Sequence, residues 1–228
     1  MKIYFVRHGH PNYREDCLTP LGHKQAAAAA ERLRDCGIGQ IFASTKGRAM
    51  ETAGYTARML GLDIVPCDFM REIHWGSLDG EPFPAGGHPW DLADLLAAEG
   101  TVFAHPDWAE RDPFCRSQMV ACCETVAAGV DAWLGTLGYI REGAYYRAGE
   151  NTDRTVAMFS HAGSGSAALA HLFNLPFPQV CASFSFDFTS VTLVSLPDEP
   201  GRLVAPKFQL VNDAAHIARL STENIIGN

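Results

Sequence analysis

Arg7, His8 and Gly9 close the short apolar run Ile3-Tyr4-Phe5-Val6, so a cation and an imidazole stand at the end of what the sequence predicts to be a buried strand. Gly9 frees the backbone there, and the carboxyl ends of strands are where open α/β sheets place their ligand crevices. An unprotonated imidazole can attack phosphorus, and a guanidinium fits phosphate oxygens in a bidentate fork. Three other residues could join such chemistry. Arg48 falls just inside a helix start after Ser44-Thr45-Lys46-Gly47, Glu72 precedes the turn Trp75-Gly76-Ser77-Leu78-Asp79-Gly80, and His161 lies between a strand and a helix. Taken singly, each has a plainer explanation. Arg48 can pair with Glu51 on the same helix face, Glu72 can be a solvated turn carboxylate, and His161 a satisfied strand-end histidine. His10, His74 and His88 read as loop residues at a pocket mouth.

These residues need a scaffold. Thr19 is a good N-cap with Pro20 in the first turn, predicting a helix from about 20 to 36. A strand is expected over Gln40–Ala43, a helix over 46–60 closed by Gly61, and a strand over Asp63–Pro66. A long helix is expected over 117–139, with Met119, Val126, Val130, Trp133, Leu134 and Leu137 facing inward. The strand from Arg154 to Ser160 delivers His161, a helix runs on to Asn174, and strand-like runs follow at Ser190–Leu196 and Lys207–Val211. Alternating strands and helices indicate an α/β fold, a three-layer α/β/α sandwich around a mostly parallel sheet. Residues 81–117 break the rhythm. Pro82, Pro84, Gly86, Gly87, Pro89, Pro106 and Pro113 punctuate them, and Phe83, Trp90, Phe103, Trp108 and Phe114 supply large apolar groups. With one helix near 90–99, this segment reads as a cap-like insertion over the carboxyl edge of the sheet, within a single domain spanning 1–228.

Composition narrows the function. The formal charge is -8, and the four lysines (Lys2, Lys24, Lys46, Lys207) leave a long lysine-free stretch in the middle of the chain. No basic stripe serves a nucleic-acid backbone or an anionic membrane. Seven cysteines without a CxxC pair, and an N-terminal apolar run of four residues, predict a reducing, cytoplasmic setting and a soluble protein.

Five ordered segments carry a resemblance. They are RHGxPxY (Arg7 to Tyr13), LTxxGxxQA (Leu18 to Ala26), SxxxRAxxTA (Ser44 to Ala53), Glu72 before the WGxLxG-like turn (Trp75 to Gly80), and SHxG (Ser160 to Gly163). With the closing Asn212-Asp213-Ala214-Ala215-His216-Ile217, the chain resembles the histidine phosphatase (phosphoglycerate mutase-like) superfamily over nearly its whole length apart from 81–117. The resemblance implies His8 as nucleophile, forming a phosphohistidine. It implies Arg7, Arg48 and a cationic His161 as the phosphate-binding groups, and Glu72 as the acid and then base. Backbone amides after His161 would add an anion seat. No metal or other cofactor is implied, and the expected partner is a small phosphate ester.

The pattern also departs from the family. Relatives carry Glu or Gln then Ser or Thr after the first Gly, where this chain has His10-Pro11, and proline cannot donate an N–H. Asn12 or Tyr13 is expected to substitute in substrate binding. The mutase branch uses extra cations in its insertion, whereas 81–117 holds only Arg111 and Arg116. The leading expectation is therefore a metal-independent phosphatase acting on a phosphate monoester, and the aromatic insertion suggests an apolar or ring-bearing substrate. The alternatives are a mutase-type phosphotransferase, a metal hydrolase built on the His8-Gly9-His10 pair, and a phosphate-ester-binding module without turnover.

Overall fold

The computed structural model describes residues 1–101 and 105–223. Strand β1 (Lys2–Arg7) runs through the middle of the molecule, flanked by a small hairpin, β2 (Pro11–Asn12) and β3 (Cys17–Leu18). Helix α1 (Pro20–Leu33), strand β4 (Gln40–Ser44), helix α2 (Gly47–Leu60) and strand β5 (Ile64–Cys67) complete the first half. After it come α3 (Pro89–Ala98) and α4 (Met119–Thr136). The strands β6 (Tyr139–Glu142), β7 (Tyr145–Ala148) and β8 (Thr155–Ser160) follow. The remaining elements are α5 (Ala162–Phe173), α6 (Phe177–Ser183), β9 (Val191–Ser195), β10 (Leu203–Val204), β11 (Lys207–Asp213) and α7 (Ala218–Glu223).

The main sheet has six strands in the order β11-β9-β1-β8-β4-β5. The four strands from β1 to β5 are parallel, while β9 pairs antiparallel with β1, and β11 antiparallel with β9, at one side. Alternation along β1 sets the two cores. Ile3 and Phe5 point into one with Val126, Val130 and Trp133 of α4, and Tyr4 and Val6 into the other with Leu33 of α1 and Ala53 and Ala57 of α2. The sheet is thus sandwiched between helices, as the alternating pattern predicts. All six residues expected on the inner face of the long helix are buried. The short strands β6, β7 and β10 form a separate three-stranded sheet that the sequence reading did not anticipate, nor did it anticipate α6.

The segment 81–117 leaves and returns at one place. Ser77 and Ser117 form an isolated antiparallel bridge, Leu78 N–H donates to Arg116 O at 2.9 Å, and Gln118 N–H donates to Gly76 O at 3.0 Å. Leu92, Ala93, Leu96 and Phe114 are buried in the same cluster as Ile3 and Phe5. Phe103 lies outside the described residues.

Candidate active site

Parallel register assembles the site. Arg7 of β1 pairs with Ser160 of β8, so the residues that follow, His8 and His161, emerge side by side with ring centroids 5.1 Å apart. His8 N–H donates to Ser160 O at 2.9 Å. Helix α2 is bolted to the same turn: Gly9 N–H donates to Thr52 Oγ1 at 3.0 Å, and that hydroxyl donates to Arg48 O at 2.7 Å. Both histidines and Arg48 are buried.

His8 is oriented by its own backbone. Its Nδ1 lies 2.7 Å from Gly9 O, and because a carbonyl can only accept, Nδ1 carries the proton. Its Nε2 is left with a lone pair and accepts from Arg48 Nε at 3.3 Å. Burial, with Arg7 and Arg48 adding positive charge, pulls the His8 imidazole down from its ordinary 6.5 to about 3. At neutral pH it is an unprotonated nucleophile with a single available nitrogen.

His161 places Nε2 2.8 Å from Ser44 Oγ at the end of β4, while its Nδ1 is buried with no partner among the described residues. Burial first, then the neighbouring His8 imidazole and the charge of Arg48, hold it well below its ordinary value. Among protein groups alone it is therefore neutral. Only an incoming anion supplies the opposite charge that would make it the cation the family resemblance implies.

Glu72 sits at the N-terminus of α5. Its Oε1 accepts from Ser164 N–H at 3.0 Å and from Ile73 N–H at 3.1 Å. Gly163 is needed here because a Cβ would come within 2.6 Å of that oxygen. Burial raises the Glu72 carboxyl above its ordinary 4.5, and that outweighs the opposing amide hydrogen bonds and the charge of Arg48. One expectation changes. The amides after His161, read as a seat for the phosphate, are turned at Gly163 and Ser164 toward Glu72 instead.

Arg7 lies with its guanidinium 4.1 Å over the ring of Phe188, one amino group donating to Phe186 O and its Nε buried without a partner. Arg48 does not pair with Glu51. It pairs with Asp16, and Glu51 Oε2 instead accepts from Leu18 N–H at 2.7 Å. Asp16 was missed in the sequence. It lies in the β2–β3 turn at φ 51° and also accepts from Gly47 N–H at 2.9 Å. It thereby caps α2, whose own Lys46 gives no side-chain cap.

Asn12 spends its Oδ1 on Arg14 N–H and Glu15 N–H, at 3.1 and 3.3 Å, and shapes the turn. Tyr13 is 67% exposed, with its ring 5.4 Å from Arg48 and its hydroxyl reaching Arg7, at the entrance to the site. His8 and His10 are not arranged as a pair, since His10 turns its Nδ1 to Thr19 Oγ1 at 3.0 Å.

The closing motif, recognised in the sequence without a role, braces the loop beside Arg7. Asn212 Oδ1 accepts from Asp187 N–H at 2.7 Å and its Nδ2 donates to Asp187 Oδ2 at 3.1 Å, while His216 Nε2 lies 3.2 Å from Thr189 Oγ1. The loop so clamped carries Phe186 and Phe188 to Arg7, and Thr189 N–H donates to His8 O at 3.2 Å.

Residues 3–134 match the family model of the histidine phosphatase superfamily (branch 1). The chain belongs to this superfamily. Among curated proteins it is 33% identical over 91 residues to a probable phosphoglycerate mutase GpmB of Yersinia pestis (strain Pestoides F). That match takes in 36% of this chain and spans about two fifths (42%) of the relative's length. Among solved structures it is similar to mycobacterial glucosyl-3-phosphoglycerate phosphatase, with a TM-score of 0.64, 24% identity, and coverage of 92% of this chain and 98% of that one. It is also similar to the phosphoserine phosphatase of Entamoeba histolytica in complex with 3-phosphoglyceric acid, with a TM-score of 0.63, 18% identity, and coverage of 95% and 98%. These structural likenesses establish the shared fold of a histidine phosphatase.

Proposed function

We propose that the chain is a phosphatase that hydrolyses a phosphate monoester through a phosphohistidine on His8. The observation that carries this reading is the buried, neutral His8 with its proton held on Nδ1 and its Nε2 lone pair beside Arg48. In the first step Nε2 attacks phosphorus, the bond to the ester oxygen breaks, and Glu72, whose acid form burial favours, gives that oxygen its proton. In the second step the Glu72 carboxylate takes a proton from water as the water oxygen bonds to phosphorus. The phosphorus–nitrogen bond then breaks and returns its electron pair to Nε2. Arg7, Arg48 and His161 hold the non-bridging oxygens whose charge develops in transfer.

A mutase reading draws support from the Yersinia relative. Against it, Arg111 and Arg116 in the insertion are exposed and paired with Asp107 and Asp112, so neither offers a free cation to a phosphorylated acid.

The test is phosphate release from 4-nitrophenyl phosphate by wild type and His8→Ala, each with and without a strong chelator. Chelator-resistant release that is lost in His8→Ala is expected. Equal release by both proteins removes His8 from the mechanism, and loss of wild-type release on chelation makes the reaction metal-dependent.

A further inference from the structure

A cavity of about 260 Å³ opens beside the phosphate-binding groups, lined by Arg7, His88, Trp90, Ala162, Ser185 and Phe186. Two of these belong to the elements that build the catalytic centre: Arg7 ends β1, and Ala162 follows His161 at the start of α5. The facing wall comes from the inserted segment, where His88 lies between Trp75 and Trp90 with ring centroids at 5.3 and 5.4 Å. His88 Nδ1 is also 3.0 Å from Asp91 Oδ2, which ties the row to the start of α3.

Charge is scarce here. Among the described residues Arg7 is the only arginine or lysine lining the cavity, and its free Nε and its place beside His8 commit it to the phosphoryl group. The carboxylates near it, Asp187 acting on Arg7 and Asp91 beside His88, disfavour a second anionic group. Three of the six lining residues, His88, Trp90 and Phe186, present rings, and a cavity of about 150 Å³ already accommodates benzene. Resting on the phosphatase reading above, we propose that this cavity is the leaving-group subsite and takes an uncharged, ring-bearing group in preference to a carboxylate. The named relatives whose substrates are phosphoglycerate or phosphoserine would then differ from this chain on the leaving-group side, with the phosphoryl side in common.

Phosphonates test the subsite apart from turnover, because their carbon–phosphorus bond is not hydrolysed by this chemistry. Calorimetry is run with benzylphosphonate, methylphosphonate and phosphonoacetate, which differ only in the arm that enters the cavity. Benzylphosphonate is expected to bind wild type about tenfold more tightly than methylphosphonate, the gain of burying one ring, and phosphonoacetate no more tightly than methylphosphonate. Trp90→Ala should bring the benzyl-to-methyl ratio close to one, and Trp90→Phe, which keeps a ring, should retain most of it. Ser185→Arg, at an exposed position, should raise affinity for phosphonoacetate selectively. The subsite is overturned if phosphonoacetate binds wild type best, if the ratio is unchanged in Trp90→Ala, or if none of the three binds. Ring preference without ester hydrolysis would sustain the subsite and overturn the phosphatase reading. Hydrolysis without ring preference would do the reverse.

Discussion

At the scale of single residues, two titrations set the pH range of the proposed chemistry. His8 is needed neutral, and its lowered value of about 3 keeps it so across the accessible range. Glu72 is needed protonated in the first step, and burial extends its acid form above the ordinary 4.5. The acid side of kcat/KM should therefore show no limb from His8 above about pH 4, whereas the alkaline side should fall as Glu72 ionises. Glu72→Gln removes the transferable proton while keeping an oxygen acceptor for Ser164 and Ile73. With an alkyl phosphate, kcat should drop by about 10²–10⁴-fold and the alkaline limb attributed to Glu72 should disappear. With 4-nitrophenyl phosphate, whose leaving group needs little protonation, the loss should be much smaller. Equal losses on the two substrates would take Glu72 out of the role of acid.

At the scale of elements, the site depends on contacts between segments distant in sequence, and those contacts are open to test. Asp16 caps α2 and neutralises Arg48, which is buried. Asp16→Ala should cost about 1–3 kcal/mol in denaturant unfolding, a lost cap plus a buried cation without its partner, reduced because Asp16 itself is partly exposed. Asp16→Asn keeps an acceptor for Gly47 N–H and should recover part of that loss. Asn212→Ala frees the loop that holds Phe186 and Phe188 against Arg7, so KM for a phosphate ester should rise about tenfold, the equivalent of one or two hydrogen bonds. An unchanged KM would mean that the loop holds its shape without the clamp. These examples show what could be read in the chain beforehand. Arg7 and His8 were legible because a strand end followed by glycine states where a side chain emerges, His161 only through its order among the family-like segments, and the parallel layering from strands alternating with helices. Asp16 was not legible, since nothing local links residue 16 to residue 48, although the absence of a capping side chain at Lys46 hinted that α2 must find one elsewhere. The β6–β7 hairpin did leave a signal, with alternating Tyr139–Glu142 and Tyr145–Ala148 around Gly143. Helix α6, at seven residues with Pro178 inside its first turn, is too short to show a period.

At the scale of the whole molecule, no helix among the described residues is long and apolar enough to cross a membrane, and burial perturbs several of the fold's imidazoles. His8, His161, His171 and His216 are all held below the ordinary imidazole value, in each case mainly by burial. The consequence for stability has a definite sign. The unfolded chain takes up protons on these imidazoles near 6.5, and the folded chain does so only at lower pH. Folding stability is therefore intact above about pH 6.5 and declines as pH falls, for His8 through the whole window from about 6.5 to about 3. Glu72 acts in the opposite sense, since its raised value makes the fold gain stability as pH drops toward 4.5. Two fully buried imidazoles, His8 and His161, stand against the one carboxyl, so the net change is a loss of stability as pH falls below about 6.5. The half-buried His171 and His216 add to the same side. Denaturant unfolding at about pH 7.5 and about pH 5 should show this loss, and in His8→Asn, where one imidazole is gone, the difference between the two conditions should shrink by a substantial fraction. Equal stability at both pH values would mean that the four imidazoles open to solvent at little cost, and the neutral His8 on which the proposed attack depends would then lose its physical basis.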